Sequence, residues 1–162
     1  MTAVFVGIGS NVERERRIGE GLTELRTRYG ALRVSPVYES AAVGFRGNPF
    51  FNLVVNFDCA LPAHALVAEL HAIELRCGRR ADAPKFAPRP LDLDLLLYGD
   101  LVIEEAGLQL PRPDILQYGF ALKPLADLAP DRRHPQLGLT YAELWVQFDG
   151  EGKVLRLVET VL

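Results

Sequence analysis

The sequence predicts an α+β protein with a ferredoxin-like βαββαβ core, forming a single domain over 1–162 with additions at its C-terminal end. Three observations predict it. Short apolar runs bounded by Gly, Pro and Asn alternate with two longer stretches whose apolar residues recur at helical spacing. Their order is strand, helix, strand, strand, helix, strand. Finally, 162 residues, 49% apolar and 24% charged, suit one globular core, and the chain shows no repeat, low-complexity tract or linker.

Each element has its own signal. "AVFVGIG" (3–9) reads as a buried strand ending at Gly9-Ser10-Asn11, where Ser10 and Asn11 are candidate helix caps. Ile18, Leu22 and Leu25 then share one helical face, and Gly30 supplies a stop. The extended stretch 31–40 is broken by Pro36, which suits an edge or bulged strand. A loop rich in Gly and Pro (41–50) leads to the strand 51–61, with Phe51 and Phe57 in the core. Pro62 opens a second helix whose stripe is Leu66, Leu70 and Ile73, ending near Gly78. Loop 78–90 delivers the chain into "RPLDLDLLLYG" (89–99). Beyond it, Gly99-Asp100 predicts a hairpin turn into "LVIEE", and "LQLPRPD" reads as a loop. Short helices follow over 114–128 and 140–148, with a last strand over 153–161.

Composition removes several function classes. A net charge of −3 argues against a general nucleic-acid binder, which needs a basic surface to displace counterions. The stretch "RCGRRADAPKFAPR" (76–89) is nevertheless locally basic. Cys59 and Cys77 are too few for a disulfide framework and lack metal-ligand spacing. With no signal-peptide pattern and no run of membrane-span length, a cytoplasmic protein is expected. There is no P-loop sequence, and Gly7-Ile8-Gly9 lacks the third glycine of a dinucleotide fingerprint. His64, His71 and His134 show no metal spacing, although His71 stands one helical turn before Glu74.

The acids in "LDLDLLLYG" raise the sharper question. Strict alternation places Leu91, Leu93, Leu95 and Leu97 on one face and Asp92, Asp94, Leu96 and Tyr98 on the other. A solvated sheet face accounts for such a pattern, and so does a divalent-cation clamp, since Mg²⁺ takes one or two carboxylates and leaves other positions to water and phosphates. The company of the pair favours the clamp. Glu74 lies near the end of the second helix, and Arg79, Arg80, Lys85 and Arg89 lead into the acids, which is the charge arrangement a phosphate-transfer site requires. Phe50 and Phe120, with the amide of Asn52, offer two rings and a hydrogen-bonding edge for a flat heteroaromatic ligand.

Taken in order, Gly9-Ser10-Asn11, the Asn52 strand, "IELRCGR" (73–79), "PRPLDLDLLLYGD" (88–100) and "PLADLAP" (124–130) resemble the 6-hydroxymethyl-7,8-dihydropterin pyrophosphokinase family of folate biosynthesis. The resemblance covers nearly the whole chain. It implies ATP as donor, pyrophosphate transfer to the pterin hydroxymethyl group, and release of AMP. By it, Asp92 and Asp94 hold two Mg²⁺ ions and Arg79 and Arg89 contact the triphosphate, these four forming the catalytic set. His71, Glu74, Lys85, Phe86, Leu95 and Arg112 fall on the nucleotide side. Phe50 and Phe120 sandwich the pterin, Asn52 reads its edge, and Ser40, Ala41 and Val43 lie beside it. Small-molecule substrates are expected, and no nucleic acid, membrane or obligate protein partner.

The chain also departs from the family pattern. Arg112 stands where a histidine is usual, Tyr118 replaces an arginine, and Asp114 occupies a commonly basic position. Phe86-Ala87-Pro88 replaces Trp-Gly-Pro, Ala42 a loop proline, and Ser40 a threonine. These changes leave open a divergent paralogue that binds pterin or nucleotide with little transfer. A ferredoxin-like sensing or structural domain is a third reading, against which Asp92, Asp94, Arg79 and Arg89 stand together.

Overall fold

Val4, Val6 and Ile8 alternate with Phe5, Gly7 and Gly9, so the strand they form (β1, Thr2–Ser10) has one face of branched side chains and one that is partly bare. The computed structural model describes residues 1–43, 46–79, 88–159 and 162. β1 lies inside a six-stranded sheet, paired antiparallel with β4 (Phe50–Cys59) and with β5 (Asp92–Tyr98). β4 continues to β3 (Val37–Ser40), then to a short β8 (Arg156–Val158), while β2 (Arg33–Val34) also pairs with β4. The order β5-β1-β4-β3 is the ferredoxin-like arrangement expected from the element order.

Two helices cover one face. α1 (Arg14–Tyr29) buries Ile18, Leu22 and Leu25, and α2 (Ala63–Arg76) buries Leu66, Leu70 and Ile73. Both stripes meet Val4, Val6, Ile8, Leu53, Val55, Leu91, Leu93 and Leu95 in one core. The predicted stops hold: Gly30 ends α1 at φ 83, a left-handed backbone that glycine adopts without Cβ strain. Pro62 sits at the cap of α2 rather than at its first turn.

The opposite face is covered only in part. α3 (Asp114–Gln117), α4 (Gly119–Leu128) and α5 (Tyr141–Val146) pack a second core, including Ile115, Leu122, Leu125 and Tyr141, onto Phe5, Val54, Leu96 and Leu97. Among the described residues the rest of that face stays open.

Several expectations need correction. The β1–β5 register shifts between Phe5 and Val6, so Phe5 pairs with Leu97 while Val6 pairs with Leu95. The extra residue in β5 inverts its alternation: Leu97 joins Leu96 under the C-terminal helices, and Tyr98 packs against the α1/α2 core. Glu13, at φ 48, precedes α1 without a side-chain cap. Ser10 and Asn11 are therefore not caps; the Ser10 hydroxyl donates to the Val12 carbonyl. β6 (Ile103–Glu105) pairs with β7 (Leu108–Leu110) in a separate two-stranded sheet, so Gly99-Asp100 turns out of β5 without forming a hairpin, and "LQL" is strand rather than loop. The helix expected over 114–128 is two helices, broken by extended Tyr118. Of 153–161, only Arg156–Val158 is a described strand.

Candidate active site

The open part of the sheet face is a cleft of about 510 Å³, within the range of small-ligand sites. Its floor is set by strand register. Gly9 lies between Asn52 of β4 and Asp92 of β5, and Gly7 between Val54 and Asp94. A Cβ at Gly9 would meet the Asn52 carboxamide oxygen at 3.4 Å and the Phe50 ring at 3.7 Å, so the bare backbone keeps the floor clear. These glycines carry no dinucleotide fingerprint, yet they line the cleft.

At the β5 end the carboxylates sit side by side on one face, as alternation predicts for this half of the strand. An Arg79 N–H donates to Asp92 at 2.6 Å and to Glu74 at 3.0 Å, and Arg89 lies 3.4 Å from both Asp92 oxygens. Glu74 also accepts the Leu93 backbone N–H at 2.8 Å, and His71 Nδ1 lies 3.1 Å from its other oxygen. Burial pushes the Glu74 carboxyl up to about 7; the Leu93 N–H and Arg79 oppose this, and the charges of Asp92 and Asp94 add to it.

Asp94 is placed differently. Its single ion pair among the described residues is with Arg112, at 3.6 Å. Although 41% of its side chain faces the cleft, surrounding protein pushes its carboxyl up to about 6, Arg112 opposes the rise, and Asp92 and Asp114 reinforce it. The site therefore holds more carboxylate than its described arginines neutralise, which is an electrostatic demand for a cation.

At the β3–β4 end, Asn52 and Ser40 are buried, and the Asn52 amide donates to the Ser40 hydroxyl at 2.8 Å. Among the described residues this leaves the amide oxygen and one N–H for a ligand. Phe50 and Phe120 line the same end, with Ala41 and Val43. Arg79, Arg89, Leu95 and Arg112 also line the cleft. The cleft thus brings together every predicted site residue within the described set. Lys85 and Phe86, with Arg80, lie outside the described residues.

The departures also fall into place. Arg112 stands between Asp94 and Asp114, 3.3 Å from the latter, so a cation remains at this corner. Tyr118 stacks on Phe120, centroids 5.0 Å apart and planes 15° from parallel, extending the aromatic wall. Sequence reasoning missed this role for Tyr118; the two-residue spacing of the rings was the available signal.

Paired carboxylates, arginines converging on them, and a cleft with an aromatic end are the equipment of a metal-dependent phosphate-transfer enzyme acting on a small heteroaromatic substrate. Residues 5–130 match the family model described as 7,8-dihydro-6-hydroxymethylpterin-pyrophosphokinase (HPPK), and the chain belongs to that family. It is 38% identical over 136 residues to the 2-amino-4-hydroxy-6-hydroxymethyldihydropteridine pyrophosphokinase of Pseudomonas aeruginosa, covering 82% of this chain and 83% of that one. The enzyme of the same name from Aquifex aeolicus is 35% identical over 138 residues, covering 83% and 85%. The folic acid synthesis protein fol1 of Pneumocystis carinii is 35% identical over 143 residues, but the chain spans only 19% of its length. The fold is shared with a solved HPPK-DHPS triple mutant of Plasmodium falciparum bearing STZ-DHP, at TM-score 0.72 and 14% identity, over 91% of this chain and 43% of that one.

Proposed function

We propose that this cleft transfers pyrophosphate from ATP to the hydroxymethyl group of 6-hydroxymethyl-7,8-dihydropterin, releasing AMP, as a step of folate biosynthesis, with residues 1–162 acting as one domain. The observation that carries the residue roles is the convergence of Arg79 and Arg89 on Asp92, one pleat from Asp94, on the sheet face that the described residues leave open.

Two Mg²⁺ ions are assigned to Asp92 and Asp94. Among the described residues no three His, Cys, Asp or Glu groups could hold a metal, and a two-carboxylate donor set fits an ion that completes its shell with phosphate oxygens and water. Held by Asp92 and Asp94, Mg²⁺ would supply positive charge that lowers the barrier to attack at phosphorus. Arg79 and Arg89 supply forked N–H donors to the phosphates, and Arg112 places a third guanidinium beside Asp94. Asn52 and Ser40 read the edge of the pterin while Phe50 and Phe120 hold its faces, in the same cleft as the acids. Glu74 holds Arg79 at the end of α2, with His71 beside it. Among the described residues no helix is long and apolar enough to cross a membrane, and both cysteines are free and buried, which suits the cytoplasm proposed as its location.

The deciding experiment follows AMP with purified protein, ATP, Mg²⁺ and the pterin. AMP formed only when the pterin is present supports the reading, and its absence from folded protein overturns it. Phe50→Ala should raise the pterin KM about 10- to 100-fold through lost stacking while leaving the ATP KM within twofold. An unchanged pterin KM would remove the stacking role.

A further inference from the structure

The Gly9-Ser10-Asn11 turn ends the central strand between the two halves of the cleft, and its asparagine is buried, 3% exposed, without serving as a helix cap. Its backbone N–H donates to the Arg89 carbonyl at 3.0 Å, and its side-chain oxygen accepts the Arg89 N–H at 2.7 Å. The other end of the same amide donates to the Asn48 carbonyl at 3.3 Å. Arg89 belongs to the phosphate end of the cleft, and Asn48 lies two residues before Phe50 at the aromatic end. These partners stand 78 and 37 residues from Asn11 in sequence, so the bonds have no local purpose.

We propose that Asn11 is a positioning residue that braces the pterin wall against the phosphate wall, fixing the distance between the two bound substrates. The inference rests on the function proposed above. A primary amide is the side chain that presents an acceptor and a donor in opposite directions at this reach; an aspartate has no donor for Asn48, and a serine is too short to serve both. Arg14 independently ties the neighbouring segment, donating to the Pro49 carbonyl at 3.2 Å with its guanidinium 3.7 Å from the centre of the Phe51 ring. Loss of the amide therefore loosens the spacing while this second anchor keeps the segment in place. The in-line geometry of transfer depends on that spacing, which a purely structural asparagine would not control.

The test is steady-state kinetics with ATP and 6-hydroxymethyl-7,8-dihydropterin on the wild-type protein, Asn11→Ala and Asn11→Asp, each with its melting temperature. Asn11→Ala should raise the KM of both substrates about tenfold, the scale of one lost positioned hydrogen bond per wall, and lower kcat about tenfold or more as the in-line spacing is lost. Unchanged KM values in folded Asn11→Ala, or a rise for one substrate alone, overturn the brace. Asn11→Asp keeps the size of the residue and the acceptor for the Arg89 N–H, and turns the group facing Asn48 into an acceptor. It should raise the pterin KM about tenfold, and an unchanged pterin KM overturns the brace even if the alanine variant does not fold. Absence of AMP from the wild-type protein is a separate result, which overturns the proposed function and the brace with it.

Discussion

Asp94→Ala lowers pterin-dependent AMP formation by about 10³-fold or more, and Asp92→Ala does so to a similar extent, because each removes half of the proposed Mg²⁺ donor set facing the reacting phosphates. The two variants differ in what they do to the apo protein. Among the described residues Asp94 has one ion pair, at 3.6 Å to Arg112, and its carboxyl is held above its ordinary range mainly by burial. Its removal leaves the melting temperature within about 3 °C of wild type, or raises it. Asp92 accepts from Arg79 at 2.6 Å and faces Arg89, so its removal takes one carboxylate partner from each arginine and costs some stability, with Glu74 still holding Arg79. Titration of Mg²⁺ into protein saturated with a non-hydrolysable ATP analogue separates loss of metal from loss of fold. Near-normal turnover in both folded variants would sink the metal assignment.

Glu74→Gln stabilises the apo protein at pH 8 by about 3 kcal/mol and removes a slope in the pH–stability curve. Glu74 titrates near 7 in the folded state against 4.5 for the free side chain, chiefly because it is buried. A folded-state pKa above the unfolded value means that the native protein binds the extra proton, so the contribution is complete below about 4.5 and lost as pH rises through about 7. At about 1.4 kcal/mol per pH unit, the rise from 4.5 to about 7 gives the figure quoted. Glutamine keeps an acceptor for the Leu93 N–H and Arg79 without the charge that burial penalises. Asp94 contributes in the same sense, between 3.8 and about 6, and is present in both proteins, so the difference between them reports Glu74 together with its coupling to the neighbouring acids. Urea denaturation from pH 5 to pH 8 measures it. An equally steep decline in the glutamine variant would remove Glu74 as its source.

Much of this molecule is written in local patterns. The stripes Ile18–Leu22–Leu25 and Leu66–Leu70–Ile73 name their helices and the face each buries, and Gly30 stops α1 as its backbone freedom suggests. Asp92, Asp94 and Arg89 are legible because "PRPLDLDLLLYGD" concentrates them within a few residues, with Glu74 and Arg79 in "IELRCGR" just before. What the sequence hid depends on distant partners. Asn11 has the composition of a helix cap, and only the arrival of Arg89 and Asn48 from elsewhere in the chain makes it something else. The β6–β7 pair was obscured by the prolines that follow it, and Tyr118 by the expectation of a charged residue. The inverted alternation of β5 had a visible sign in the three consecutive leucines Leu95–Leu97, which no strictly half-buried strand requires.

That irregularity lets seven residues serve two masters. Before it, β5 spends its second face on the cleft; after it, the same face belongs to the packed interior under α4 and α5. Tolerance to substitution along β5 should therefore run with a period of two that jumps phase at Leu96. Residue 94 is constrained chiefly by turnover, 92 by turnover and by its arginine contacts, and 97 by folding. Deleting Leu96 would restore a regular ladder in which Leu97 still meets Phe5 and Tyr98 still meets Val4, so the phase jump would vanish while the residues beyond it keep their faces.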